Sequence, residues 1–186
     1  AQVVQQLRQP RPAIIQRGFG GGVGEGADAG HEAEIADLYA EGFDPRMPLA
    51  DEPDWDDDDK IYSGAVLAEQ TRIARNDAIA FVFPVWWWSV PAMTKGWIDR
   101  VWNNGWAYGA RKLPHRKALM IGIAANSAEG YRERGDEAAM RSQLLVGVLN
   151  YCGIKNADLR LFYDALETDE IRATLIEEAR RLGREF

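Results

Sequence analysis

Two short runs without a polar residue, AIAFVF at 78–83 and ALMIGIAA at 118–125, constrain the fold of this chain more than any other feature. An apolar run of this length, unbroken by alternation, suits a strand buried on both faces. That environment belongs to parallel sheets, whose crossover connections lay helices on either side. Amphipathic segments surround the two runs. Residues 64–76 (GAVLAEQTRIARN) place Val66, Leu67, Ile73 and Ala74 at helical spacing. Residues 91–102 (PAMTKGWIDRVW) predict a helix with Pro91 in its first turn, and residues 136–151 a helix stopped by Gly153. Residues 168–182 predict a closing helix capped by Thr168. Residues 32–38 (EAEIADL) alternate as a strand should, and residues 158–163 (DLRLFY) form another.

Strands alternating with helices predict a doubly wound α/β domain spanning 1–186. With so few strands the natural form is a flavodoxin-like five-stranded parallel sheet, order 2-1-3-4-5, helices on both faces. That order requires one more strand before residue 32, where the sequence is atypical. Val3-Val4-Gln5-Gln6-Leu7 is a poor central strand. The stretch GFGGGVGEGADAG carries glycines at 18, 20, 21, 22, 24, 26 and 30. A helix there loses roughly 1 kcal/mol per glycine relative to alanine. The G-x-G-x-x-G spacing of a nucleotide loop does not occur, so an irregular segment is expected.

The remaining totals narrow the function classes. A formal charge of −7 disfavours nucleic acid as a partner, since phosphate binding needs clustered cations. Cys152 is the only cysteine, which excludes an intrachain disulfide and suits a reducing compartment. The start of the chain lacks a signal pattern and no apolar run reaches membrane-spanning length, so a cytoplasmic protein is expected. Residues 51–63 (DEPDWDDDDKIYS) lack the alternating ligands and central glycine of a calcium loop. A solvated, self-repelling loop is expected there, and no metal.

The chemistry-bearing feature is positional. FVFPVWWWSVP at 81–91 sets Trp86, Trp87 and Trp88 between a buried strand and the next helix, where open α/β sheets bind ligands. The following strand ends in AANSAEGY, residues 124–131. Rings on one loop and small residues on its neighbour suit a flat molecule with a polar edge, such as a flavin. Trp97, Ile98 and Val101 share a helical face and are expected in the core. No nucleophile elbow, H-E-x-x-H or Cys/His cluster is present. His31 and His115 are expected at surface turns, and Cys152 as a buried apolar thiol. A pocket without a nucleophile points to cofactor chemistry.

FVFPVWWWSVPAMTKGWIDRVWNNGWAYG, with AEQTRIARND, ALMIGIA and NYCGI, closely resembles the NAD(P)H:quinone oxidoreductases, flavoproteins of flavodoxin-like fold. The resemblance implies FAD or FMN held along Pro84, Val85, Trp86, Trp87 and Trp88, with the Trp87 and Trp88 amides on the N5 and O4 side. It implies that Ala124, Ala125 and Asn126 meet the N1 and O2 edge, with Tyr131 as the catalytic residue near O2. Trp87 and Tyr108 would bind substrate in a pocket completed by a second subunit of a homodimer. Hydride would pass from NAD(P)H to flavin N5 and then to a quinone, by ping-pong kinetics.

Two departures accompany the likeness. The family's His-Pro loop and Ser-Phe-Asn segment, which hold the flavin phosphate, are replaced by residues 7–16 and the glycine run. Codons such as ATC-ATT-CAA-CGC-GGC-TTT-GGC would encode residues 14–20, and chosen so, read one base later, they would give Ser-Phe-Asn-Ala-Ala-Leu-Ala; a reading-frame difference is therefore one hypothesis for this departure. Peptide masses matching IIQRGFG would dispose of it. After Tyr131, Arg132 and Arg134 stand where some relatives carry a histidine. A damaged phosphate loop favours a rival reading, a regulatory or binding protein, for example an ancillary subunit of a transporter, that keeps the fold with little redox turnover.

Overall fold

Along AIAFVF the side chains alternate between two faces, and both faces are covered. The computed structural model describes residues 3–8, 13–15 and 32–186. Strand β4 (Ala78–Pro84) sends Ile79, Phe81 and Phe83 into one core and Ala80 and Val82 into another. Strand β5 (Lys117–Ile123) does the same with Ala118 and Met120 against Leu119 and Ile121. This double burial explains why neither run alternates in polarity.

The larger core is closed by α1 (Gly64–Ala74) and α2 (Ala92–Val101), through Ile73, Trp97, Ile98 and Val101. Ser63 caps α1 by accepting the Val66 amide, and Pro91 occupies the cap of α2, one residue ahead of its predicted place. The predicted helix over 136–151 is an α-helical turn, α4 (Asp136–Met140), that continues as a wider π-helix (Arg141–Asn150). It contributes Met140, Leu144 and Leu149 to the larger core. Gly153, with φ 104°, ends it as predicted. The smaller core is covered by α5 (Asp169–Glu185) through Leu175, Ala179 and Leu182, and Thr168 caps that helix.

A short helix, α3 (Ala128–Arg134), lies where a plain loop is expected; Ser127 caps its start, and Gly135 ends it in a left-handed conformation. Its seven residues, one of them Gly130, are too few to show a helical period.

Pairing of β4 with β5 and of β5 with β6 (Ala157–Phe162) is parallel throughout. With β1 (Val3–Arg8), β2 (Ala13–Ile15) and β3 (Glu32–Asp37), the sheet has six strands in the order β1-β3-β2-β4-β5-β6, where five parallel strands are predicted. Strand β1 runs antiparallel along β3. Strand β2 pairs parallel with β3 and β4. Val3 to Leu7 is therefore not the missing parallel strand. No helix among the described residues is long and apolar enough to cross a membrane.

Candidate functional site

At the carboxyl end of β4 the Val85 amide still donates to the Ile123 carbonyl, at 2.8 Å, so the chain leaves the sheet only after Val85. Trp86 and Ser89 then exchange N–H···O=C bonds of 3.2 and 3.1 Å, closing a two-residue turn. Its central residues, Trp87 and Trp88, have φ of 51° and 53°. Such turns ordinarily use Asn-Gly, because both central residues need positive φ. A side-chain-bearing residue held there costs of order 1–3 kcal/mol.

The indoles are not core. Trp86, Trp87 and Trp88 are 54%, 89% and 37% exposed, and the last two meet edge to face at 6.1 Å. The turn also leaves the Trp87 and Trp88 amides without an acceptor among the described residues.

The neighbouring loop behaves alike. Ala124 is buried and fastened at both backbone groups, donating to Phe162 at 2.8 Å and accepting from Ala165 at 3.0 Å. Asn126 accepts from the Asp164 amide at 3.2 Å. The Ala125 and Asn126 residues are exposed, and their amides have no acceptor among the described residues. Two adjacent strand ends therefore present four donors with no acceptor among the described residues. Buried amides would need partners; exposed ones at a strand end await a ligand's acceptors or water.

Helix α3 brings Tyr131 to this edge. Its ring is buried, packed edge-on against Tyr163 at 5.2 Å. Burial raises the phenol's pKa, the Asp136 carboxylate adds to the rise, and Arg134 opposes it. Tyr163 in turn donates to Glu137 Oε2 at 2.9 Å, and burial with that carboxylate pushes its own pKa up. Both phenols stay protonated at neutral pH.

Tyr108 stands in a different group. It lies 5.8 Å from both Trp55 and Tyr151, ring to ring, and burial with the neighbouring Tyr62 and Tyr151 pushes its pKa up to about 12. The structure thus joins Trp88, Tyr131 and the 124–126 loop, while Tyr108 is placed with residues of the acidic segment. A cleft of about 690 Å³ is lined by Phe43, Met47, Ala65, Ala68, Glu69 and Arg100 among others, and by none of the predicted site residues.

Three expectations change. Asp51 is fully buried, in an ion pair of 2.7 Å with Arg100, so the acidic segment is anchored rather than merely solvated. His115 is buried and not at a surface turn; its Nε2 meets the Ile73 carbonyl at 3.0 Å, and burial lowers its pKa. Arg134 sits over both Trp88 and Tyr131, at 5.6 and 6.0 Å from their ring centres, whereas Arg132 has no such contact among the described residues. The i, i+3 spacing of Tyr131 and Arg134 would have disclosed that shared face had α3 been legible. Cys152 is a buried thiol as expected, its pKa pushed up to about 11 by burial. His31, the glycine-rich run and most of residues 14–20 lie outside the described residues.

Comparison with known proteins places the chain in a family. Residues 23–184 match the family described as Flavodoxin-like fold. An uncharacterised NAD(P)H oxidoreductase of Escherichia coli, YcaK, is 40% identical over 72% of this chain and 68% of its own. The solved NAD(P)H:quinone oxidoreductase of Methanothermobacter marburgensis superposes with a TM-score of 0.81 at 33% identity, covering 86% of this chain and 83% of that one. The potassium-efflux ancillary protein KefF of Klebsiella aerogenes is 36% identical, over 48% of this chain and 52% of its own.

Proposed function

This chain belongs to the NAD(P)H:quinone oxidoreductase family of flavodoxin-like fold, and from that premise we propose that it is itself a flavin-dependent NAD(P)H:quinone reductase. The observation that carries the proposal is the set of four amides, on Trp87, Trp88, Ala125 and Asn126, that have no acceptor among the described residues and stand beside exposed indoles at two adjacent strand ends. Such donors fit a flavin, whose ring edge carries acceptors where charge gathers on reduction. When bound, FAD or FMN supplies a two-electron carrier between NAD(P)H and the quinone, in alternating half-reactions.

The chain's own residues do the rest. Trp87 and Trp88 direct their amides to one edge of the ring site, and Ala125 with Asn126 to the other. Fixed donors stabilise developing negative charge without reorganising, as in an oxyanion hole. Trp86 and Trp87 offer apolar faces on which nicotinamide or quinone rings stack. Tyr131, whose phenol burial keeps neutral, would offer its proton to the bound ring. Pro84 and Val85 carry the loop off the sheet, and Tyr108 lines a substrate pocket shared with a second subunit.

The parallel members β3-β2-β4-β5-β6 then serve as the family's 2-1-3-4-5 frame in a single domain, with β1 an addition. A cytoplasmic homodimer suits the buried, unreactive Cys152 and the exposed Leu49, Trp55 and Ile61. The enzyme reading is preferred to the regulatory one because the oxidoreductase matches extend over more of the chain than the efflux-subunit match. A visible spectrum of the purified protein, followed by anaerobic NADPH, tests it. A yellow protein that bleaches is expected; a colourless protein that takes up no added FAD or FMN overturns the proposal.

A further inference from the structure

The Trp87–Trp88 turn is strained at both central residues, so something must hold it. Its flanks are tied by the Trp86–Ser89 pair and by Ser89 Oγ, which donates to Gln143 Oε1 at 3.3 Å. Neither contact acts on the central side chains. Arg134 does, with its guanidinium centre 5.6 Å from the Trp88 ring and 6.0 Å from the Tyr131 ring. Cations within about 6 Å of an aromatic ring centre are attracted to its face.

Helix α3 is built to deliver that group. Arg134 is the last residue of the helix, three positions after Tyr131 and so on the same face. Gly135 follows with φ 75°; a Cβ there would meet nothing within 4 Å, so its left-handed backbone is what calls for glycine. That turn brings Asp136 back to accept from Arg134 Nε at 2.7 Å, fixing the guanidinium. One turn earlier, a Cβ at Gly130 would lie 3.1 Å from Arg134 Nη1, so glycine keeps the space the guanidinium occupies.

We propose that Arg134 is a positioning residue that clamps the left-handed tryptophan turn against α3 and thereby aims the turn's two free amides. Its purpose rests on the flavin reading above; the clamp itself does not.

The test uses full-length protein labelled with 5-fluorotryptophan, with the Trp88 fluorine signal assigned by its loss in Trp88→Phe. Arg134→Ala should shift or split the Trp88 signal without FMN and weaken FMN binding about fivefold. Arg134→Lys should restore part of the affinity, and Asp136→Asn should move both readouts in the same direction by less. A Trp88 signal unmoved in Arg134→Ala, or FMN affinity within about twofold of the parent, overturns the inference. Should the parent protein take up FAD but not FMN, the affinities are read with FAD; should it take up neither, the functional reading falls, and the flavin-free Trp88 signal still decides the clamp.

Discussion

Asp51 is fully buried while Trp87 is 89% exposed, the reverse of what a carboxylate and an indole ordinarily choose. Each inversion has a local cause. Asp51 gives up water because Arg100, the Ser63 amide at 2.9 Å and the Ser63 hydroxyl at 3.0 Å replace it. Trp87 gives up burial because it occupies a central position of the two-residue turn closed by Trp86 and Ser89 beyond the end of β4. The pair shows two uses of an unfavourable placement. In the acidic segment a compensated buried charge secures a loop against α2. At the strand end apolar surface stays exposed without compensation, as the proposed flavin site requires.

The largest expected effect lies on the buried side of that contrast. Asp51→Ala strands Arg100 in the interior and should cost about 3–5 kcal/mol, measured by urea unfolding. Burial raises the Asp51 pKa, but the bonds from Arg100 and Ser63 outweigh it and hold it below 3.8. Its contribution is therefore complete above about pH 4 and lost as pH falls through the lowered value. Asp51→Asn should flatten that acid limb, and an unchanged limb would assign the acid sensitivity elsewhere.

On the exposed side the signs should oppose one another. Trp87→Gly relieves one positive φ and should raise stability by about 1 kcal/mol while weakening flavin binding. Loss of stability with flavin affinity intact would show that the turn is structural. Tyr131→Phe should slow hydride transfer in stopped-flow traces with flavin still bound; an unchanged rate would remove its role.

His115 gives a smaller, pH-dependent effect. Burial lowers its folded pKa, so the unfolded chain binds the proton more readily, and stability should decline as pH falls below about 6.5. His115→Gln should abolish that slope in thermal melts between pH 7 and 5. Smallest of all, Asp57→Asn, in the exposed part of the acidic loop, should change stability by less than about 0.5 kcal/mol.

Much of this was legible before any coordinates. AIAFVF and ALMIGIAA announced central strands because double burial excludes polar residues, and Thr168 and Gly153 marked helix limits through their own backbone chemistry. Legibility failed where length or distance defeated it. Helix α3 is too short for a period, and with it the Arg134–Trp88 contact was lost. Nothing near His115 signals that the Ile73 carbonyl, 42 residues away, would take its ring. In the acidic run, Asp51 looks like Asp57, yet one is buried and one exposed.

Residue order by itself determined the alternation of strands and helices and the placing of three indoles at a strand's carboxyl end. Those depend on periodicity and on residues adjacent in the chain. Tertiary structure alone decided that Asp51 meets Arg100 across 49 residues, that Trp87 and Trp88 turn left-handed, and that a guanidinium lies over Trp88. Burial and strain are settled by partners distant in sequence, whose presence no local pattern records.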